Sequence, residues 1–198
     1  MRLQDRLPES VTVGKRKYKV DLDFRNVLNM MDIMSDKSLL LESKLFLALK
    51  CIMRHVPRKL AIQDAILREV TLLCFAQGKK VEDDKPYMSF KQDADLIVGA
   101  FMQCYGINLY RDKLHWLEFR VLLGCLPEGS RYSEVIEIRT KPLPSPTKYN
   151  GEERRNLIKA KARCALEISE EERETSYKRS VSRVAESLRL LAERGDKH

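Results

Sequence analysis

LHWLEFRVLLGCLP, residues 114–127, is the stretch on which the reading of the fold turns. Leu114, Trp116, Leu117, Phe119, Val121, Leu122 and Leu123 would fall on nearly every side of a helix. A helix that is apolar all round is one enclosed by others, so the stretch predicts a buried central helix. Its neighbours must then be helices with one apolar and one solvated face, and periodicity is the test for them.

Toward the N-terminus, Ile97, Val98, Phe101, Met102 and Tyr105 recur at helical spacing. Ser89-Phe90-Lys91-Gln92 opens that run as a capping box and Gly106 closes it, with Asp93 and Asp95 as helix-start carboxylates that favour the positive end of the dipole. Phe101, Trp116 and Phe119 are the predicted structural core. Residues 78–88, GKKVEDDKPYM, hold both signs of charge and a proline and predict a surface loop. Before them, a helix over about 58–77 presents Ile62, Ile66, Val70, Leu73 and Cys74 and stops at Gly78. Another follows Asp36-Lys37-Ser38 and carries Leu41, Leu45, Ala48, Leu49, Ile52 and Met53. Pro57 ends it by forbidding helical backbone at Val56. A first helix over about 24–34 is capped by Asp21 or Asp23. Ahead of it, SVTVGKRKYKV at 10–20 alternates in type around Gly14-Lys15, which predicts a short β-hairpin resting on a helix.

Toward the C-terminus, Tyr132, Val135, Ile136 and Ile138 fit a helix over about 129–139 or a strand. Pro142, Pro144 and Pro146 then rule out regular structure. The predicted organisation is a hairpin plus helical core at 1–141, a Pro-rich linker at 142–151 and a helical extension at 152–198. The fold class is mainly α. In the extension, helices are expected over about 152–168 and 170–194. Tyr177, Val181, Val184, Leu188 and Leu191 form a narrow heptad seam in the second, flanked by Arg179, Arg183, Glu186 and Arg189. Two heptads are too short to stand alone, so the seam docks on a partner or folds back on its own domain. These five residues are the candidate partner-binding set.

Composition limits what the chain can do. A charged fraction of 33% beside 43% apolar residues, with only 8 glycines in 198, suits helices with a solvated face. No run approaches the roughly 20 apolar residues of a bilayer crossing, and MRLQDRLPES lacks the apolar centre of a signal peptide, so a soluble intracellular protein is expected. Residues 1–78 hold 14 basic against 9 acidic side chains, 79–151 hold 11 against 10, and 152–198 hold 12 against 10. The net +8 is spread thinly, and nucleic acid is not the expected partner. Lys15-Arg16-Lys17 is the one dense basic cluster, at a hairpin turn where lysines keep an edge from pairing.

Catalytic and metal motifs are missing. The histidines are His55, expected to face a helix C-terminus, His115, expected to be a partly buried structural residue, and the terminal His198. Cys51, Cys74, Cys104, Cys125 and Cys164 are widely spaced among apolar neighbours and read as reduced core thiols, without the close pairs of a zinc site. Glu82-Asp83-Asp84 lacks the alternating ligands and glycine turn of a calcium loop, and GxxxxGK[ST] and GxGxxG do not occur. No catalytic, cofactor-binding or metal-binding residue is predicted, and the chain reads as a non-enzyme.

Four blocks carry a resemblance: Tyr18-Lys19-Val20-Asp21-Leu22-Asp23-Phe24-Arg25, Phe90-Lys91-Gln92-Asp93-Ala94-Asp95-Leu96-Ile97, Tyr105-Gly106-Ile107-Asn108-Leu109, and the 114–127 stretch itself. In order and spacing, over most of residues 8–145, the chain resembles the "gene product fifteen" family of long-tailed bacteriophages and prophages. The resemblance implies a tail assembly chaperone, encoded beside the tape measure protein and acting with it and other tail assembly proteins. Such a protein is expected to work in many copies, in the host bacterial cytoplasm, and to leave before the virion is finished. Two other readings stand beside it: a basic regulatory protein that binds nucleic acid through the hairpin turn and the last helix, and a structural component of the mature tail.

Overall fold

The hairpin forms where Gly14 supplies a positive φ of 60°, which a two-residue turn of the II′ kind needs at its first central position. The computed structural model describes residues 4–75 and 87–167. In it β1 (Ser10–Val13) pairs antiparallel with β2 (Arg16–Lys19), Val11 opposite Tyr18 and Val13 opposite Arg16. Val11 is buried, while Lys15, Arg16 and Lys17 face solvent. The strand β1 lies against α3 (Leu60–Phe75), which gives the two-stranded ribbon the support it lacks alone.

Past the hairpin the chain stays extended and is bonded on two sides. Asp21 donates its N–H to the Ile52 carbonyl at 2.7 Å, Phe24 to Leu114 at 3.0 Å, and Leu22 accepts from Trp116 at 2.7 Å. Asp23 and His115 thereby form an antiparallel bridge. Asp23 caps α1 (Phe24–Ser35): its Oδ1 accepts the Arg25 N–H at 3.0 Å and the Arg25 guanidinium returns to the same carboxylate at 3.1 Å. The other guanidinium nitrogen donates to the Leu109 and Asp112 carbonyls, each at 2.8 Å. Asp23→Ala is expected to lower stability by about 1–2 kcal/mol, the range for a lost N-cap. Asp23→Asn, which keeps an acceptor, should lose less, and urea unfolding followed by circular dichroism measures both. Equal losses from the two variants would mean that the charge toward Arg25, not the cap, carries the effect.

The helix α2 (Leu41–Ile52) packs on α1 and α3 through Leu45, Ala48, Leu49 and Ile52. It ends four residues before Val56, where Pro57 was expected to stop it. Met53 is already extended and buried, and the Ile52 carbonyl serves Asp21 instead of a further helical turn. His55 consequently lies beyond the helix and is exposed, not at its C-terminus as expected.

The expected start of α4 is also displaced. Residues 90–93 form a turn in which Ser89 Oγ accepts the Gln92 N–H at 3.3 Å, and α4 runs over Ala94–Tyr105. It closes at Gly106, which takes a left-handed φ of 67° and whose N–H bonds the Met102 carbonyl, the 5→1 bond of an αL end. The central helix α5 (Trp116–Gly124) differs more from expectation. Only Trp116 and Phe119 are fully buried, and Val121 is 63% exposed, so α5 keeps one face in the core and another toward solvent. The ambiguous run forms a helix, α6 (Arg131–Thr140), capped by Ser130 and packed on α4.

Phe119 stacks on Phe24 at 4.8 Å and on Phe101 at 5.3 Å, and Trp116 is 5.8 Å away. These rings are the centre of a core that also holds Val27, Leu49, Ile66, Val70 and Ile97. Cys74 is buried, but Cys51 and Cys104 are half-buried and Cys125 is exposed, so the thiols are not uniformly core residues.

The described residues fall into two compact units divided between Pro142 and Leu143. In the second, Asn150 ties the Pro-rich segment by accepting from Thr147 at 2.8 Å and donating to Ser145 at 2.9 Å. Its helix α7 (Gly151–Cys164) carries Glu152 and Glu153 in the first turn and Lys161 and Arg163 in the last, both favourable to the helix dipole. No residue of α7 is buried. Among the described residues no helix is long and apolar enough to cross a membrane.

Candidate functional site

Asp93 does not cap the helix it precedes. Its side chain makes no bond to the first N–H groups of α4 and is 1% exposed. Both carboxylate oxygens instead accept from Arg139 of α6, each at 2.8 Å, and Oδ2 also accepts the Ser89 N–H at 2.9 Å. Arg139 donates further to the Tyr87 carbonyl at 3.2 Å. A two-pronged guanidinium–carboxylate pair fixes orientation as well as distance, so this clasp holds residues 87–93 against α6. Burial raises the Asp93 carboxyl, but the Arg139 hydrogen bonds, the Ser89 N–H and the Arg139 charge outweigh it and hold the group below its usual value. Beside the clasp, burial and the Asp93 charge push the Tyr132 hydroxyl up to about 12.

The clasp builds one wall of an open groove of about 860 Å³. Tyr87, Met88 and Phe90 stand on that wall, and Met31 and Phe75 add the ends of α1 and α3. Two helical stripes face the same space: Trp116, Arg120, Leu123 and Gly124 on α5, and Ser133, Ile136, Glu137 and Thr140 on α6. Each stripe keeps the three- and four-residue steps that put side chains on one face. The joint between the helices is a tight turn in which Ser130 donates to Pro127 at 3.2 Å and Gly129 takes a φ of +88°, as the third position of a type II turn requires. Ser130 then accepts the Ser133 N–H and starts α6.

The polar groups on the groove floor are occupied. Trp116 Nε1 donates to the Cys74 carbonyl at 3.2 Å, and the Arg120 guanidinium donates to the same oxygen. Burial pushes the Cys74 thiol up to about 11, against the opposing charge of Arg120, so it is held as a neutral thiol at pH 7. What remains facing solvent is the half-buried apolar surface of Met31, Phe90, Leu123, Leu126 and Ile136, with exposed Glu128, Glu134 and Glu137 around it.

Phe101, Trp116 and Phe119 are 0%, 1% and 1% exposed, and Trp116 reaches from the core to the groove. The seam residues Tyr177, Val181, Val184, Leu188 and Leu191 lie outside the described residues, as do the Gly78 helix end and Glu82-Asp83-Asp84. His115 is half-buried as a structural residue, in a more particular way than its sequence suggests. Nδ1 accepts the Leu117 N–H at 3.1 Å while Glu118 accepts the His115 N–H at 3.2 Å, a reciprocal box at the start of α5. Because Nδ1 accepts, Nε2 carries the proton, which it donates to Pro8 at 3.1 Å. Histidine is not among the favoured cap residues, and only the glutamate three positions later signals the box. The Asp93–Arg139 clasp had no signal at all.

The four blocks that carry the resemblance meet in one place. Phe24 of the first stacks on Phe119 of the last, Phe90 of the second lies 6.0 Å from Trp116, and Arg25 binds the Leu109 carbonyl of the third. The model for the bacteriophage Gp15 protein family matches residues 3–166. The chain belongs to the bacteriophage Gp15 protein family. No curated protein matches it, and no solved structure does. The Gp15 match takes in the hairpin, the clasp, both groove helices and α7, and stops before Tyr177. This is therefore a bacteriophage protein, and the groove lies wholly within the part of the chain that defines its family.

Proposed function

We propose that this Gp15-family protein is a non-enzymatic tail assembly chaperone, which binds the tape measure protein while a long, non-contractile phage tail is being built. The observation that carries the reading is family membership over residues 3–166. The apolar groove supports it, because a cleft in which the described residues offer no convergent free polar groups suits a side-chain stripe better than a reacting substrate. A rod-like partner with repeated apolar stripes aggregates if left bare. Many copies, each covering one stripe weakly, hold it in solution and come away as tail subunits replace them. The protein acts in the host bacterial cytoplasm and is absent from the mature virion.

Co-expression with the tape measure protein of the same phage, followed by pull-down at low and high salt, tests the reading. The tape measure protein is expected to become soluble and to be retained at both salts, since an apolar contact survives screening. Purified particles analysed by mass spectrometry should lack the chain. Recovery of nucleic acid alone, lost at high salt through counterion return, would overturn the proposal in favour of a regulatory protein working through Lys15-Arg16-Lys17. Stoichiometric presence in particles would make the chain a structural tail component instead.

A further inference from the structure

The charge around the groove is opposite to that of the molecule. The chain carries +8, yet among the described residues the charged side chains that line this apolar surface are Glu128, Glu134, Glu137 and Arg120. Arg120 is turned down onto the Cys74 carbonyl at the end of α3. Glu134 pairs with Arg131 at 3.1 Å, but both side chains are about half or more exposed, and an exposed pair of this kind is readily exchanged for another cation. The three carboxylates therefore present a negative rim over an apolar floor. At Gly124 an added Cβ would meet nothing within 4 Å, so the end of α5 borders open space.

We infer that this groove receives an amphipathic helix whose apolar stripe is bordered by Lys or Arg, and that the helix is a segment of the tape measure protein. The source of the helix rests on the assembly reading above; the chemistry of the groove does not. Two helical stripes that line one open space fit a third helix laid into that space, its large apolar side chains against Met31, Leu123, Leu126 and Ile136. Its basic flanks then lie over Glu128, Glu134 and Glu137. Opposed charge at a rim acts mainly on encounter and on the choice among helices, while the apolar contact supplies the affinity. A tape measure segment that binds here carries Lys or Arg beside its apolar stripe, and an acid-flanked segment of equal hydrophobicity is rejected.

The test uses the full chain and a fluorescein-labelled synthetic helix of about 18 residues, five turns, with a Leu stripe and Lys flanks, beside the same peptide with Glu flanks. Fluorescence anisotropy is expected to show the Lys-flanked helix binding at least about tenfold more tightly. Gly124→Trp, which fills the open space, should abolish binding and leave the thermal midpoint unchanged. Glu134→Lys with Glu137→Lys, both on the surface, should reverse the preference between peptides, and this pair decides the matter should Gly124→Trp fail to fold. The same variants are then co-expressed with the tape measure protein. If that protein co-purifies with wild type and with every variant alike, the groove is not its site and the inference falls, although the chaperone reading stands. If the peptide binds as expected but the tape measure protein never co-purifies, the assembly reading falls and the assigned source with it. Equal binding of both peptides would overturn the charge argument. Self-association of the wild type that Gly124→Trp removes would assign the groove to a second copy of this chain.

Discussion

Asp93→Ala is expected to lower the stability of the folded chain by about 3–5 kcal/mol, the cost of breaking a buried ion pair from one side. Arg139, whose side chain is 11% exposed, loses the carboxylate that it grips with two nitrogens, and the Ser89 N–H loses its acceptor. That is a large share of the roughly 5–15 kcal/mol by which a domain is stable. Guanidinium unfolding followed by circular dichroism gives the loss, and Asp93→Ala with Arg139→Ala closes the cycle. The double variant should lose clearly less than the sum of the two single losses, because both truncations remove the same two-pronged pair. The pH dependence follows from the direction of the Asp93 shift. The folded carboxyl lies below its unfolded value of about 3.9, so its contribution is present above that pH and is lost as pH falls through the folded value. The gap between wild type and Asp93→Asn should therefore be constant from neutral pH to about 4 and narrow below it. A gap unchanged in acid would mean that Arg139 does not hold the ionised form.

Phe119→Ala should cost a similar 3–5 kcal/mol, the range for deleting a buried phenylalanine ring. The ring is 1% exposed and touches partners from three other segments: Phe24 at 4.8 Å, Phe101 at 5.3 Å and Phe90 at 6.1 Å. Phe24 and the start of α5 are tied together by backbone bonds, Phe24 to Leu114 and Trp116 to Leu22, so the cavity cannot close by sliding α1 past α5. Val121→Ala, two residues away on the same helix, is the control. Its side chain is 63% exposed, and its loss should stay within about 0.5 kcal/mol. Comparable losses at both positions would show α5 enclosed on all sides, as its composition alone suggests.

The contrast between Phe119 and Val121 marks how far the sequence reaches. Several expectations that rested on neighbours within one turn of chain met their element. The Gly14-Lys15 pair makes the hairpin turn, Asp23 caps α1, Gly106 ends α4, and the periodicity of Tyr132, Val135 and Ile136 resolves as a helix. Caps, turns and helical periods are interactions between residues at most a few positions apart, so the sequence carries them wherever no remote partner competes for the same groups. The four blocks of the family resemblance were legible for the same reason, each being a short run around an element boundary.

Where remote elements decide, the sequence was silent or misleading. The helix α2 stops at Ile52 because Asp21, from the hairpin side, takes its carbonyl, and no residue near Pro57 announces this. Asp93 reads locally as a helix-start carboxylate, yet its partner is 46 positions away in α6. The stripes of α5 and α6 could each be marked from spacing, but that they border one space, and that Glu134 and Glu137 become the rim of an apolar groove on a basic protein, depends on how the helices pack. The sequence by itself thus determined the described helices, the hairpin and the family. The buried clasp, the covered face of α5 and the groove were decided only by tertiary structure, because each needs two segments whose meeting is set by the packing of the whole core and by no signal within either one.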